Sequence, residues 1–234
     1  MQILAIDTTS RAGSIALLQG EELRGLIGFA RALGHAETLL PTVKHLLNEL
    51  DLRISDLDAF SVSVGPGSFT GLRVGIATAE GLAFATGRRA VGVSALEATA
   101  YRYRFCSGLV ASFLDAGRGE VFGALYGSDG QRLEAVSEPV CEDPRIFLDC
   151  LPQEPILLAG SGTVTFQKLL HAVPGRRLSV PQPSPFLAED VARIGLRLHE
   201  EGKAASLGGL EAIYLRASDA ERARQDKSGA HPWP

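Results

Sequence analysis

In two short segments of the sequence, an aspartate comes at the end of an apolar run and small or hydroxyl-bearing residues come directly after it. These are the residue types that bind phosphate and Mg²⁺. The first is residues 7–10, Asp-Thr-Thr-Ser, and the second is residues 115–119, Asp-Ala-Gly-Arg-Gly. A carboxylate at a strand end can hold metal-bound water, while hydroxyl and backbone N–H groups can face phosphate. The alternative is that both segments are turns in which each aspartate bonds local backbone.

A third segment could serve the same chemistry. Residues 158–162, Leu-Ala-Gly-Ser-Gly, would let the backbone approach an adenine ring. A single Gly-x-Gly after a strand is a weak signal by itself. The candidate nucleotide-binding residues from the three segments are Asp7, Thr8, Thr9, Ser10, Asp115 and Gly160.

The most distinctive stretch is residues 65–73, Gly-Pro-Gly-Ser-Phe-Thr-Gly-Leu-Arg, between an alternating apolar run and a helical stretch. Gly65 and Gly67 permit backbone angles closed to other residues, and Pro66 fixes the turn between them. Such a turn presents backbone N–H groups at a helix N-terminus, where anions bind. The alternative is a strand-to-helix connection whose glycines serve only close packing.

Other catalytic chemistries have little support in the residue pattern. Cys106, Cys141 and Cys150 share no metal-ligand spacing, and free thiols are the simplest expectation. Ser68 and Thr70 have no histidine or aspartate near them in sequence, and Gly-x-Ser-x-Gly does not occur. We therefore predict no metal site and assign no catalytic residue.

Residues 101–105, Tyr-Arg-Tyr-Arg-Phe, alternate aromatic and basic side chains. Aromatic faces and guanidinium groups can stack on bases and pair with phosphate, so this segment is a candidate RNA contact. Arginine stems that lie on a neighbouring surface explain the pattern as well. The net charge of −4 argues against a protein that grips nucleic acid over a broad surface.

The elements that must position these segments occur twice along the chain. Strands at 2–7, 13–18, 23–29, 59–64 and 89–93 and helices at 36–50, 70–86 and from Ser94 give the order βββαβαβα. The second half repeats it with strands at 109–114, 120–126, 131–137, 156–159 and 178–180 and helices at 143–151, 163–171 and 186–201. Asp7 ends the first strand of one half, and Asp115 ends the first strand of the other. We expect an N-terminal lobe at 1–105, a C-terminal lobe at 106–216 whose last helix can pack back on the first lobe, and a disordered tail at 217–234.

The two helices of the first lobe carry surfaces that could dock a partner. On helix 70–86 small residues recur every four positions, which lets another helix approach closely, and helix 36–50 carries a broad apolar stripe. The alternative is close packing onto the protein's own sheet. The candidate docking residues are Leu39, Leu40, Val43, Leu47, Gly71, Gly75, Ala79 and Ala83.

The sequence of residues 65–75, followed by 79–83, closely resembles the signature of the TsaB (YeaZ) family. Residues 3–10 and 35–41 agree with the same family. The likeness is dense over residues 1–100 and thinner beyond, mainly at 114–121 and 212–216. The resemblance implies an α/β protein with the actin-like, sugar-kinase-like ATPase (ASKHA) fold, built from two βββαβαβα lobes.

The resemblance also implies a function and partners. Members of the family are non-catalytic scaffold subunits that pair with TsaD. Together with the ATPase TsaE, this pair supports threonylcarbamoyl transfer to the adenosine next to the anticodon (position 37) of tRNAs reading ANN codons. Helices 36–50 and 70–86 would contact TsaD, and the same face would form a homodimer when TsaD is absent. The rival class is a stand-alone enzyme of the same fold, either a small-molecule kinase or a glycoprotease-type peptidase.

Two departures from working members of the superfamily affect the expected cofactors. Thr8 stands where many active ATPases have glycine, and Arg118 adds bulk to the second loop. We therefore expect at most weak or vestigial binding of ATP or ADP with Mg²⁺. TsaD holds its metal with a His-x-x-x-His pair, but here His35 is followed at the fourth position by Leu39.

Composition indicates a well-cored protein in the cytoplasm. Of the 234 residues 45% are hydrophobic and 21% are charged, as in globular domains. Met1 leads almost directly into an apolar strand, without the leader of an exported protein. No apolar run approaches the ~18 residues that would span a bilayer, so we expect no membrane association.

Overall fold

Each half of the chain builds one β-sheet, and the two sheets have the same strand order. The computed structural model describes residues 1–30, 34–172, 177–204 and 208–216. The first half contains β1 (Gln2–Asp7), β2 (Ala12–Gln19), β3 (Glu22–Ala30), α1 (His35–Glu49), a 3₁₀ turn (Ile54–Asp56), β4 (Ala59–Gly65), α2 (Phe69–Thr86), β5 (Arg89–Ser94) and α3 (Ala95–Tyr101). The second half contains β6 (Gly108–Gly117), β7 (Glu120–Ser128), β8 (Leu133–Ala135), β9 (Val140–Glu142), α4 (Pro144–Cys150), β10 (Ile156–Ala159), α5 (Gly162–Thr165), α6 (Gln167–His171), β11 (Leu178–Ser179) and α7 (Ala188–Glu200).

The first sheet has the order β3-β2-β1-β4-β5, and the second has the order β11-β10-β6-β7-β8 with β9 also paired to β7. In the first sheet β1 is antiparallel to β2 and parallel to β4, and in the second sheet β6 is antiparallel to β7 and parallel to β10. Apolar side chains from α1 and α2 cover one face of the first sheet, including Leu39, Val43 and Ala79. The βββαβαβα order predicted from hydrophobic periodicity is present in both halves, with one added strand and one divided helix in the second.

These two differences occur at identifiable residues. The predicted helix 163–171 is divided at Phe166, which has φ −105° and ψ 24°. The ring of Phe166 packs edge-on against Phe113, so this residue contributes to the core instead of continuing the helix. The added strand β9 pairs with residues 121–123 of β7 and lies between the predicted strand 131–137 and the predicted helix 143–151, where the sequence pattern indicated no element.

Helices α3 and α7 lie across the division between the two halves. Leu96 and Ala100 of α3 pack with Val110 and Phe122 of the second sheet. Residues of α7, in turn, share a core with strands of the first sheet. Each half therefore supplies a helix that covers part of the other half. This exchange of helices holds the strand ends of both sheets beside a common cleft.

The C-terminal segment 208–216 returns to the first half. The backbone N–H of Ile213 donates to the carbonyl of Val64 at 2.7 Å. Arg216 then forms an ion pair of 2.8 Å with Glu120 at the start of β7. The predicted disordered tail at 217–234 lies outside the described residues. In the part of the chain that is described, no helix is both long and apolar enough to cross a membrane.

Candidate functional site

The loop after β1 is closed by its own hydrogen bonds. Asp7 is fully buried, and its Oδ1 accepts from the backbone N–H of Thr9 at 3.1 Å and from the Thr9 hydroxyl at 2.7 Å. The hydroxyl of Thr8, also fully buried, donates to the carbonyl of Gly71 in α2 at 2.7 Å. The hydroxyl groups that were predicted to face phosphate are therefore bonded within the protein.

The turn at residues 65–71 packs directly onto this loop. The backbone N–H of Ser68 donates to the carbonyl of Thr9 at 2.7 Å, and the Ser68 hydroxyl caps α2 by accepting from the N–H of Gly71 at 3.3 Å. A Cβ on Gly71 would overlap the carbonyl oxygen of Thr8, and a Cβ on Gly75 would overlap the Thr8 hydroxyl. This geometry favours the packing alternative for the glycines of the turn, because two of its N–H groups already have partners inside the chain.

The second loop is bonded in a similar way. Asp115 accepts from the N–H of Gly117 at 2.7 Å and from the hydroxyl of Thr165 at 2.8 Å, and its own N–H donates to the Ser161 hydroxyl at 3.0 Å. Gly160 has φ +126°, and a Cβ there would lie 2.6 Å from the carbonyl of Phe113. Glycine at position 160 is thus explained by the close approach of β6, without an adenine ring.

The structure brings four of the six candidate nucleotide-binding residues to one cleft between the halves. Thr9, Ser10, Asp115 and Gly160 line this cleft, which encloses about 80 Å³. Ligand pockets for drug-sized molecules usually enclose about 300–1,000 Å³. The remaining two residues are buried at the end of the first strand. Nucleotide binding stays a prediction, and the cleft has little room for it in this conformation.

Arg102 fixes one wall of the cleft, a role that sequence spacing did not indicate. Its guanidinium contacts Asp190 Oδ2 through Nε at 3.0 Å and through Nη2 at 2.6 Å, and it also donates to the carbonyls of Ser184 and Phe186. Burial raises the pKa of Asp190, and the charge of Arg102 opposes that rise. The two residues are 88 positions apart in sequence, so only the fold brings them together.

Other residues of the candidate RNA-contact segment 101–105 contact one another. The guanidinium of Arg104 lies 4.2 Å from the ring centre of Tyr101 and 4.1 Å from that of Phe105. Phe105 is 70% exposed. With Arg102 paired to Asp190, the segment offers one exposed ring and one stacked guanidinium, and RNA contact here stays a prediction.

The predicted docking residues have to be corrected. The exposed one is Leu40, and the buried ones are Leu39, Val43, Leu47, Gly71, Gly75, Ala79 and Ala83. The buried residues face the protein's own sheet and loop, because periodicity defines a helix face without showing what covers it. Apart from Leu40, the exposed residues of these helices were not among the predicted docking residues. From the exposed residues we select a set that we call the outer face: Leu40, Arg73, Ala77, Gly81 and Phe84.

A larger groove of about 560 Å³ lies on the second half, beside α5, α6 and β11. Gln167, His171 and Val180 are among its lining residues, and it includes none of the candidate nucleotide-binding residues. Among the described residues, no three His, Cys, Asp or Glu side chains are grouped so that they could hold a metal ion.

Known proteins match the chain along most of its length. A family model described as "TsaD: tRNA N6-adenosine threonylcarbamoyltransferase" matches residues 25–197. The "tRNA threonylcarbamoyladenosine biosynthesis protein TsaB" of Bacillus subtilis (strain 168) is 32% identical, over 94% of this chain and 96% of that protein. The structure of YeaZ from Pseudomonas aeruginosa superposes with a TM-score of 0.78 at 28% identity, over 92% of this chain and 99% of that one.

A more distant structure shares the fold alone. Component A of the (R)-2-hydroxyglutaryl-CoA dehydratase of Acidaminococcus fermentans has a TM-score of 0.53 at 11% identity, over 84% of this chain and 98% of that one. The repeated strand order and the interlobe cleft define the class as the actin-like, sugar-kinase-like ATPase fold. Within that class the chain belongs to the TsaB family, which is related to TsaD through the matching family model.

Proposed function

We propose that this chain is the non-catalytic scaffold subunit that pairs with TsaD in the cytoplasm and, together with TsaE, supports threonylcarbamoyl transfer to the adenosine next to the tRNA anticodon. Membership of the TsaB family supports the pathway. The observation that supports a non-catalytic role is the cleft of about 80 Å³, whose loop residues bond one another. A kinase would need space for both a nucleotide and a phosphoacceptor at this place.

The outer face of α1 and α2 is the surface we propose for TsaD. Phe84 on α2 is 75% exposed and Leu40 on α1 is 52% exposed, while the exposed Ala77 and Gly81 leave the backbone of α2 open to close approach. Exposed apolar side chains grouped on a soluble protein usually mark a partner site. Small residues allow two helix axes to come within about 8 Å.

The relationship to TsaD supports this geometry. The matching TsaD model spans residues 25–197, a range that contains both α1 and α2. Two related chains can therefore meet through the same helices with approximate two-fold symmetry, as in an isologous dimer. The same reasoning accounts for a homodimer of this chain when TsaD is absent.

Reconstitution tests the proposed function. Transfer to tRNA supplied with threonylcarbamoyl-adenylate is expected when TsaD, TsaE and this chain are combined. It is not expected when this chain acts alone. Modification of tRNA by the isolated chain would reject the scaffold role and support the rival class of stand-alone enzyme.

A variant of the outer face tests the docking surface. Phe84→Ser is expected to weaken association with TsaD about 30-fold, because truncation of a central aromatic residue at an interface costs about 2 kcal/mol. Titration calorimetry measures the affinity, and Ile146→Ser on α4, which removes another exposed apolar side chain, is the matched control. Equal affinities for the two variants would exclude Phe84 from the contact.

Another prediction concerns nucleotides. We expect the isolated chain to bind ATP with Mg²⁺ more weakly than about 1 mM and to hydrolyse none, because Thr8 is buried and bonded to α2 and the cleft is small. Calorimetric titration measures the affinity. Micromolar binding with turnover that Asp7→Ala abolishes would contradict the proposal and restore the kinase alternative.

A further inference from the structure

Arg73 lies on the outer face with its guanidinium held by two aromatic side chains. The guanidinium carbon lies 3.9 Å above the ring centre of Phe69, one turn earlier in α2. Its Nε lies 3.5 Å from the hydroxyl oxygen of Tyr214, and the Phe69 and Tyr214 rings are 5.0 Å apart. Within the described residues, the ion pairs of the chain do not include Arg73.

Tyr214 is brought to this place from the far end of the chain. It belongs to the segment 208–216, which is fixed on both sides of the tyrosine. Ile213 donates to Val64 at 2.7 Å, and Arg216 pairs with Glu120 at 2.8 Å. Phe69, the first residue of α2, is held by the capped start of that helix. The cluster of Phe69, Arg73 and Tyr214 is therefore ordered before any partner binds.

The arrangement determines what the guanidinium can bind. Stacking uses its flat face and leaves the N–H groups at its edge able to donate in their plane. A carboxylate accepts two such parallel bonds. Towards the end of α2, the exposed residues on the same stripe as Arg73 are Ala77, Gly81 and Phe84, which are small or apolar and suit a protein surface. The exposed residue one turn before Arg73 is Thr70. A phosphate-binding surface would carry further cations along the same stripe, and α2 has no other lysine or arginine; the next ones, Arg88 and Arg89, follow after the helix ends.

We propose that Arg73, stacked on Phe69 and braced by Tyr214, is the charged anchor of the outer face and forms a bidentate ion pair with an aspartate or glutamate of TsaD. This inference rests on the proposed function and adds to it the residue that sets specificity. A preordered arginine beside aromatic rings is typical of the few residues that dominate an interface, because little side-chain entropy remains to be lost on binding.

Titration of purified TsaD with three variants of the full chain tests the anchor. Arg73→Glu is expected to weaken binding about 30-fold or more, because it places like charges together in a desolvated contact. Arg73→Lys keeps the charge but loses the bidentate geometry, and we expect a loss of about 5-fold. Arg145→Glu, the same charge reversal on the exposed surface of α4, is expected to bind as wild type does.

Two further measurements separate this proposal from its alternatives. The melting temperature of Arg73→Glu is expected to stay within about 2 °C of wild type, because Arg73 is exposed. If that variant does unfold early, the Arg73→Lys affinity decides the question. The salt dependence of TsaD binding is expected to be shallower for Arg73→Gln than for wild type, since one ion pair is missing.

The possible failures are distinguishable. Wild-type affinity in Arg73→Glu overturns the anchor, while failure of the wild-type chain itself to bind TsaD overturns the proposed function. Loss of self-association in sedimentation with TsaD binding retained assigns Arg73 to a homodimer and rejects the proposal. Loss of tRNA binding alone identifies phosphate as the ligand and also rejects it.

Discussion

Replacing Gly71 by alanine is expected to destabilise the protein by about 3 kcal/mol or more, whereas the same replacement at Gly81 is expected to stabilise it by about 0.5–1 kcal/mol. The two glycines lie on one helix, α2, and differ in what surrounds them. A Cβ on Gly71 would overlap the backbone carbonyl of Thr8, which cannot move without distorting the loop after β1. Nothing lies within 4 Å of a Cβ on Gly81, so the gain in helix propensity is free of steric cost.

Chemical denaturation of the isolated chain, followed by circular dichroism, measures both effects. Gly75→Leu belongs in the same series, because Gly75 faces the Thr8 hydroxyl and a larger side chain there should lower the midpoint as well. A Gly71→Ala protein as stable as wild type would show that the loop after β1 can shift. In that event the close contact between α2 and this loop would not be what holds the Thr8 hydroxyl within the protein.

The spacing of apolar residues was sufficient to predict most of the secondary structure. Apolar residues alternate in strands and recur every three or four positions in helices, and the series of strands and helices occurs twice along the chain. Ser94 and Asp143 also show why helix starts were predictable. Each side chain accepts a hydrogen bond from a backbone N–H of the first turn, a local interaction that depends on near neighbours in sequence. Phe166 could not be predicted in this way, since its conformation follows from a contact with Phe113 in another element.

The main error in the predicted docking site concerned the side of α2 on which its small residues lie. Gly71, Gly75, Ala79 and Ala83 recur every four residues, and this spacing is equally compatible with a partner helix and with the chain's own sheet. Thr8 decides between them, because its hydroxyl and carbonyl occupy the space beside the two glycines. The relevant contact joins residues 63 positions apart and leaves no signal in either segment alone.

The hydrogen bonds of Asp7 and Asp115 to nearby backbone N–H groups agree with the turn alternative, while nucleotide binding by these residues stays a prediction. Asp7 is the last residue of β1 and Asp115 lies two residues before the end of β6, and the common strand order brings these two ends to one cleft. Whether such a loop binds phosphate depends on which hydrogen bonds remain unused after folding. Thr9 and Thr165 satisfy these aspartates from inside the protein, and sequence spacing could suggest only the first of those two contacts.

A further large effect is expected at the ion pair that holds the wall of the cleft. Arg102→Met should destabilise the protein by about 3 kcal/mol near neutral pH, because it leaves Asp190 buried without its counter-charge. The carbonyls of Ser184 and Phe186 lose their donor in the same variant. Arg53→Met, which removes the exposed ion-pair partner of Asp56, is the matched control and is expected to change stability little.

The pH dependence distinguishes the charge effect from lost packing. Burial raises the pKa of Asp190 above its unfolded value even with Arg102 present, and the variant should raise that pKa further. The native state then binds more protons than the unfolded state, so stability falls as the pH rises through the raised pKa. The cost of Arg102→Met should therefore be smaller at about pH 5 than at about pH 8, measured by denaturant unfolding at each pH. A cost that is equal at both values would mean that the carbonyl contacts and the arginine stem, and not the charge on Asp190, are what Arg102 supplies to the wall.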